Sequence, residues 1–360
     1  MIKRIALLLL VALSITLISC DFDSNGERLL VKASGRPGEV LLIMDSVQWK
    51  GKLGEALRAT LYQDLVGVSR PEKLFTVRFI EPTLFNSVLN KARNLIFVAT
   101  LDSKTQGGLT VRNFLTKNYI QNNPDKFIIS QKDIYASGQD ALYLFSADEN
   151  ELAEKILNNK STITNFFNQK EKERLLHNLY VAKEQTSISD FMMRDYDCSV
   201  RVPNGYQIAA NEPGFVWLRS VGETDKNIFV SFRDYTSESV FENSNLVGLR
   251  DSITRVHVFE DPDNDNSYTK IDTVNIETEI ITTQINGNYA KRLRGIWKAN
   301  NLTIGGSFVS YVFVDEETNR LYYIDGFVIR PGKDKREALR ELDVILNTFK
   351  AKKPSSEKNS

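Results

Sequence analysis

Residues 289–328 read YAKRLRGIWKANNLTIGGSFVSYVFVDEETNRLYYIDGFV, a stretch with three runs in which apolar side chains alternate with polar or small ones. A period of two places successive side chains on opposite faces of an extended chain, so this alternation predicts half-buried strands. The runs are Tyr289–Lys298, Ser307–Val314 and Arg320–Val328. Asp315–Asn319 supplies turn residues between the last two. The sequence therefore predicts an antiparallel sheet of consecutive strands.

The flanking segments extend this sheet. Asn286-Gly287 is a strong hairpin signal, because both residues tolerate the positive φ angles of a tight turn. Residues 334–351 predict a helix with Asp334 as its N-cap and one apolar face that packs on the sheet. That face comprises Leu339, Leu342, Ile345, Leu346 and Phe349. Further strands of the sheet are predicted at Ser199–Val202, Gly214–Arg219, Asn227–Asp234 and Ile271–Gln284.

The chain before residue 190 has a different pattern, in which short apolar runs alternate with amphipathic segments. Strands are predicted at Glu39–Asp45, Leu74–Ile80, Asn94–Thr100, 127–130 and 141–146, and helices at 51–63, 82–90, 109–121, 148–159 and 161–184. The β-α-β-α-β order at the start is typical of an α/β-type lobe, here 36–190. With an antiparallel sheet and terminal helix over 195–350, the predicted fold class is α+β.

The N-terminus has the features of a secretory signal. Lys3 and Arg4 precede the apolar run Ile5–Ile18, which is too short to span a bilayer comfortably. The run ends in Leu17-Ile18-Ser19-Cys20, which resembles the bacterial lipobox. We therefore interpret 1–19 as a lipoprotein signal peptide and Cys20 as the residue that receives diacylglyceryl and a further acyl chain such as palmitate. An ordinary secreted protein and a signal anchor are the alternatives.

Local composition, charge balance and cysteine content limit the classes of protein to which this chain can belong. Residues 20–35 are polar and small and predict a lipidated tether, and 351–360 predict a disordered tail. Lys plus Arg and Asp plus Glu are equal at 46 each, so no basic excess is available to attract nucleic acid. Cys198 is the only other cysteine, so with Cys20 acylated no intramolecular disulfide is expected.

Several short motifs together resemble one family. They are Ser34-Gly35-Arg36-Pro37-Gly38-Glu39-Val40, Gly54-Glu55-Ala56-Leu57-Arg58, Asp133-Ile134-Tyr135-Ala136, Arg294-Gly295-Ile296-Trp297, Gly305-Gly306-Ser307-Phe308-Val309-Ser310-Tyr311 and Asp325-Gly326-Phe327-Val328. Over nearly the whole chain after Cys20, this pattern is similar to a Bacteroidota lipoprotein family known as Domain of Unknown Function 4837. The resemblance implies an envelope location and brings no catalytic residues with it.

An acidic stretch is the only candidate metal site. Asp261, Asp263 and Asp265 space oxygen ligands as in a calcium loop, with Asp272 at the closing position. Asn266 stands where such loops turn on glycine, and aspartate is short for a bidentate closing ligand. A solvated acidic loop is therefore the favoured interpretation, and no cofactor is predicted.

A row of cations is the second candidate site. Alternation places Arg292, Arg294 and Lys298 on one face of a strand, where they could hold an anionic ligand. Pairing with acids of a neighbouring strand, such as Glu277 and Glu279, is the favoured alternative.

Nucleophilic chemistry has weaker support. His177 and His257 are the only histidines, His257 in a strand-like run, and no G-x-S-x-G motif is present. Gly305-Gly306 indicates a turn or bulge.

We expect an envelope lipoprotein at the outer membrane, its membrane face undetermined, that acts as a binding or assembly module for an envelope protein or glycan. The alternative is an envelope hydrolase of glycan or peptide, which would gather Ser307, Ser310 or Cys198 with a histidine and a carboxylate.

Overall fold

The structure, a computed structural model, describes residues 30–114, 125–181, 183–258, 264, 266–302 and 304–352. These residues form two compact units. One contains the described residues up to Ala56 together with Val77–Asn158, and the other contains Leu57–Thr76 and the described residues from Asn159 onwards. No helix in these ranges is both long and apolar enough to cross a bilayer. The predicted signal peptide, Cys20 and most of the predicted tail lie outside the described residues.

The first unit is built on a five-stranded sheet of order β2-β1-β3-β5-β4. Its strands are Glu39–Ile43 (β1), Thr76–Ile80 (β2), Asn94–Thr100 (β3), Ile128–Lys132 (β4) and Asp140–Ser146 (β5). β1, β3 and β5 run parallel, and β4 is antiparallel to β5. Every residue of β3 and β5 is buried, as expected for central strands covered on both faces. The predicted α/β character of this region is confirmed.

Short helices connect these strands. They are Ser46–Lys50 (α1), Lys52–Leu61 (α2), Gln106–Arg112 (α3) and Glu149–Asn158 (α4), with 3₁₀ turns at Pro82–Leu84 and Leu89–Lys91. The helix predicted at 109–121 begins earlier than expected: α3 starts at Gln106 because Thr105 caps it, its hydroxyl accepting from the Gly108 amide at 3.0 Å. Residues 115–121 of this prediction lie outside the described residues.

The second unit contains the predicted antiparallel sheet, of order β10-β12-β13-β14-β9-β8-β7, with β11 also pairing with β12. Its strands are Gln207–Glu212 (β7), Phe215–Ser220 (β8), Asp225–Asp234 (β9), Thr269–Ile271 (β10), Glu279–Ile285 (β11), Asn288–Ala299 (β12), Gly305–Asp315 (β13) and Arg320–Ile329 (β14). Asn286 and Gly287 have φ angles of 50° and 84°, which matches the predicted hairpin. The α+β class is therefore confirmed.

Some strand and turn predictions in this unit are wrong. Ser199–Val202 is not a strand of the sheet, because only Cys198 and Ser199 are extended and they pair with Lys350 and Ala351. Ile271–Gln284 is interrupted, because the Asp272 carboxylate accepts from the amides of Val274 and Asn275 and turns the chain. Gly305-Gly306 lies within β13 rather than at a turn. A Cβ at Gly306 would lie 1.9 Å from the Val328 carbonyl oxygen and 2.9 Å from Trp297 Nε1, so the close approach of these groups requires glycine.

One face of the sheet is covered by the terminal helix, Arg336–Leu346 (α8). All five residues of its predicted apolar stripe are at most 2% exposed and join one core with Val309, Tyr311 and Ile324. The approach is close, since a Cβ at Gly326 would lie 2.8 Å from Leu342 Cβ. The predicted Asp334 cap is wrong: Glu72 accepts from the amides of Lys335 and Arg336 at 2.8 and 2.9 Å.

The opposite face is covered by a helix that the sequence pattern did not predict, Asn243–His257 (α7). Its residues Leu246 and Leu249 share a core with Phe215, Phe229 and Trp297. His257 therefore ends a helix, and its strand-like interpretation is wrong. The remaining elements are Lys160–Val181 (α5), Thr186–Tyr196 (α6), Cys198–Ser199 (β6) and Lys350–Ala351 (β15), the last two forming a two-stranded ribbon. Ala351, the first residue of the predicted tail, is thus part of a strand.

Candidate functional site

An open cavity of about 600 Å³ lies at one end of the antiparallel sheet. We call it the aromatic cleft, and it is lined by Tyr235, Glu238, Phe241, Tyr289, Val314, Glu316 and Asn319. These residues come from the position just after β9, the 3₁₀ turn Glu238–Phe241, the start of β12, and the end of β13 with the turn that follows it. Three aromatic rings and two carboxylates therefore converge from four separate segments.

The three rings are mutually inclined. Phe241 and Tyr289 have ring centroids 5.4 Å apart with planes 80° apart, and Tyr235 and Phe241 have centroids 6.4 Å apart with planes 53° apart. Tyr289 is 51% exposed. These distances and angles are edge-to-face and tilted ring contacts, so the aromatic wall of the cleft is a packed, angled cluster rather than one flat platform.

Backbone contacts hold the segments in place. The Tyr235 amide donates to the Asn319 carbonyl at 3.0 Å, and the Asn319 side chain donates back to the Tyr235 carbonyl at 3.3 Å. Asn319 has a positive φ of 51°, a conformation that asparagine tolerates. This reciprocal pair ties the β13–β14 turn, which carries Glu316, to the segment that carries Tyr235.

The 3₁₀ turn is fixed by side-chain caps. The Ser237 hydroxyl accepts from the Ser239 amide at 3.2 Å, and Asn245 of α7 donates to the Ser239 carbonyl at 2.8 Å. In the β13–β14 turn, Asp315 accepts from the Glu317 amide at 3.2 Å and from the Thr318 hydroxyl at 2.9 Å. Both loops that line the cleft are therefore ordered by hydrogen bonds of their own.

The lining is acidic. Glu238 and Glu316 are exposed, and within the described ranges neither carboxylate forms a salt bridge. The Lys291 ammonium lies 6.0 Å from the centroid of the Tyr289 ring and donates to the Thr282 hydroxyl at 3.0 Å. The cleft thus combines aromatic side chains with two negative charges, and no cation is among its described lining residues.

Two cations of the predicted row, Arg292 and Lys298, have acidic partners within the protein. Arg292 donates to Glu279 of β11 at 2.9 Å, and Lys298 to Asp272 at 3.0 Å. Burial lowers the pKa of Arg294, while the charge of Asp343 acts in the opposite direction. The structure therefore gives Arg292 the acidic cross-strand partner that the alternative interpretation expected.

The candidate calcium ligands are only partly described. Asp261, Asp263 and Asp265 lie outside the described residues. Asp272 accepts from Lys298 and, at 2.6 Å, from the Asn275 side chain. These contacts outweigh the effect of burial and lower its pKa to about 2. In the described part of the chain, no group of three His, Cys, Asp or Glu side chains could hold a metal.

The candidate nucleophiles have other partners. Ser310 donates to Asp325 at 2.5 Å, and Asp325 is paired with Arg250 inside the protein. Cys198 is buried, and burial raises the pKa of its thiol to about 12. Ser307 is also fully buried.

The two histidines are placed elsewhere. His257 contacts Glu212 at 2.8 Å and stacks on Phe215 with centroids 4.2 Å apart, and His177 is exposed on α5. Each serine, the cysteine and each histidine therefore has its own surroundings, and the structure does not assemble them into one cluster.

Fold and cleft together describe an α+β protein with a concave aromatic site. Residues 185–348 match the family model described as Domain of unknown function (DUF4837). This match confirms the resemblance that the sequence motifs indicate, over the second half of the chain. Residues 33–180 match a different model, also described as a Domain of unknown function (DUF8532). The sequence motifs had suggested one family over nearly the whole chain.

Solved structures give weak similarities. The Ran-binding protein Mog1p of Saccharomyces cerevisiae has a TM-score of 0.29 and 12% identity, over 44% of this chain and 91% of its own. A point mutant of Mog1 has a TM-score of 0.28 and 11% identity, over 44% of this chain and 93% of its own. A protein of Bacteroides thetaiotaomicron has a TM-score of 0.24 and 12% identity, over 44% of this chain and 47% of its own. No curated protein shows a significant match to the sequence.

Proposed function

We propose that this chain is a lipid-anchored binding module of the cell envelope and that its ligand occupies the aromatic cleft. The cleft is the observation that carries the proposal. Its volume of about 600 Å³ lies within the range of small-ligand sites. Exposed aromatic side chains in a concave site offer a large contact area with little loss of conformational freedom on binding. Fixed loops around the rings reduce that loss further.

Binding to defined envelope fragments tests the cleft. The mature chain, with its tyrosine and phenylalanine rings isotopically labelled, is titrated with a neutral oligosaccharide, a muropeptide, a basic peptide and an acidic peptide. We expect at least one fragment to shift the ring resonances of Tyr289 and Phe241, and Tyr289→Ala to abolish this binding. Tyr62→Ala is the matched control, since Tyr62 is exposed in the same unit and does not line the cleft. Binding that is unchanged in Tyr289→Ala would refute the cleft as the site.

The anchor is the second part of the proposal. The lipobox-like Leu17-Ile18-Ser19-Cys20 supports acylation of Cys20, and two or more acyl chains hold a protein stably on a bilayer. We expect the outer membrane as the location. Mass spectrometry should find a mature N-terminus that begins at acylated Cys20, and Cys20→Ala should release the protein from membranes. An unmodified N-terminus beyond residue 20 would contradict the anchor.

A further inference from the structure

We propose that the ligand of the aromatic cleft is an organic cation, namely the arginine or lysine side chain of a partner peptide. This inference rests on the proposed function, because it names the ligand of the same cleft. It depends on three properties of the lining: the arrangement of the rings, the sign of the charge and the size of the cavity.

The ring arrangement favours a cation. The face of an aromatic ring carries negative potential, so several ring faces around one space attract a positive group together. Phe241 packs edge to face with Tyr289 and tilted against Tyr235, with planes 80° and 53° apart, so a cation beside this angled cluster can contact more than one ring. A pyranose ring instead stacks on one open and flat aromatic face. The angled cluster therefore suits a compact or planar cation better than a sugar ring.

The charge of the lining is complementary to a cation. Glu238 and Glu316 contribute two negative charges, and the described lining residues include no lysine or arginine. The whole chain has a formal charge of zero, so this negative charge is a local property. Lys291, whose ammonium lies 6.0 Å from the centroid of the Tyr289 ring, donates to the Thr282 hydroxyl. A bound cation could therefore pair with the Glu238 and Glu316 carboxylates, which form no salt bridge within the described part of the chain.

The size fits a side chain together with neighbouring peptide groups. A cavity of about 600 Å³ is larger than a single guanidinium or ammonium group requires. The remaining space accommodates the aliphatic stem and the adjoining backbone, and Asn319 lies at the rim with its carbonyl held by Tyr235. The structure thus points to a basic residue within a peptide rather than a free inorganic ion.

Three peptides that differ in one side chain test the inference. Capped Gly-Gly-X-Gly-Gly peptides, with arginine, lysine or citrulline at X, are titrated into the mature chain and followed by the ring resonances of Tyr289 and Phe241. Citrulline has the shape of arginine without its charge. We expect the arginine and lysine peptides to bind and the citrulline peptide to bind at least about tenfold more weakly.

Substitutions in the cleft lining test whether the basic peptide binds there. Tyr289→Ala should weaken binding of the arginine peptide at least about tenfold, while Tyr289→Phe, which keeps the ring face, should retain it. The pair Glu238→Gln and Glu316→Gln should weaken binding and reduce its dependence on salt. These two glutamates are exposed, so the variant is expected to fold normally.

Three outcomes would overturn the inference. Equal affinity for arginine and citrulline would remove the role of charge. A neutral oligosaccharide that shifts the cleft resonances while the basic peptides do not would replace the cation by a glycan, and the proposed binding function would stand. If no probe of either class shifts the Tyr289 or Phe241 resonances, both the inference and the proposed cleft function are wrong.

Discussion

Arg250 of α7 and Asp325 of β14 form an ion pair in the interior of the second unit, with Arg250 Nε 2.8 Å from Asp325 Oδ2. Neither residue is exposed to solvent. Ser310 donates to the same carboxylate oxygen at 2.5 Å, and the guanidinium lies 4.3 Å from the centroid of the Phe308 ring. The pair fixes the position of α7 over the centre of the sheet. The same helix supplies Asn245, which orders the loop beside the aromatic cleft.

Asp325→Asn is expected to destabilise the protein strongly. It leaves the Arg250 charge buried without compensation, which typically costs about 3–5 kcal/mol of unfolding free energy. Chemical denaturation monitored by tryptophan fluorescence measures this loss. Glu223→Gln is the control, because the Glu223–Lys333 pair is more than half exposed and its loss should leave the denaturation midpoint unchanged. Equal midpoints for Asp325→Asn and the parent protein would refute the structural role of the pair.

Leu342→Ala and Leu346→Ala should each lower the free energy of unfolding by about 2–5 kcal/mol, because both side chains are fully buried between α8 and the sheet. Leu176→Ala is the matched control, since Leu176 is 37% exposed on α5. A change below about 0.5 kcal/mol in the two α8 variants would instead indicate an undocked amphipathic helix.

Acid should destabilise the protein partly through Asp343. Burial would raise its pKa, but Lys172, Arg294 and the Tyr311 hydroxyl stabilise the carboxylate and lower the pKa to about 2. The folded pKa is below the unfolded value of about 3.9, so the stabilisation of roughly 2–3 kcal/mol is present above about pH 4 and is lost as the pH falls towards 2.

Denaturation between pH 2 and 5 tests this expectation. Asp343→Asn should show a flatter dependence of unfolding free energy on pH than the parent protein. Parallel curves for the two proteins would show that Asp343 does not titrate in this way.

The Cys198 thiol should be unreactive in the native protein. It is buried, and its pKa of about 12 keeps it protonated at neutral pH, whereas the thiolate is the reactive form. Alkylation by iodoacetamide should therefore require unfolding, and a reducing agent should leave the melting temperature unchanged. Rapid native alkylation, or a fall of several degrees on reduction, would contradict this prediction.

Local signals predicted the parts of the fold that local chemistry controls. Alternation located the central strands, Asn286-Gly287 located a hairpin, and the spacing of Leu339, Leu342 and Leu346 located α8. Tertiary contacts set the rest. Glu72 caps α8 from more than 250 residues away, and no local pattern can indicate such a cap. The run around His257 alternates over a few residues only, while Leu246, Leu249 and Arg250 carry the helical period of α7.

The aromatic cleft could not be predicted from the sequence. Tyr235, Phe241 and Tyr289 are brought together by the order of strands in the sheet, in which β9 and β12 are separated by two other strands. Each residue alone has the environment of an ordinary surface or edge aromatic. The acidic pairing that the sequence favoured for the cationic row also depends on register, which places Glu279 opposite Arg294 and within reach of Arg292.

The most direct test of the central claim uses a peptide with trimethyllysine, compared with the same peptide carrying its neutral tert-butyl analogue. If a cation binds against the rings of Phe241 and Tyr289, the N-methyl resonance should shift upfield on binding and show nuclear Overhauser effects to these two rings. The neutral analogue should bind at least about tenfold more weakly. Equal affinity of the two peptides, or Overhauser effects to residues outside the cleft, would contradict the account.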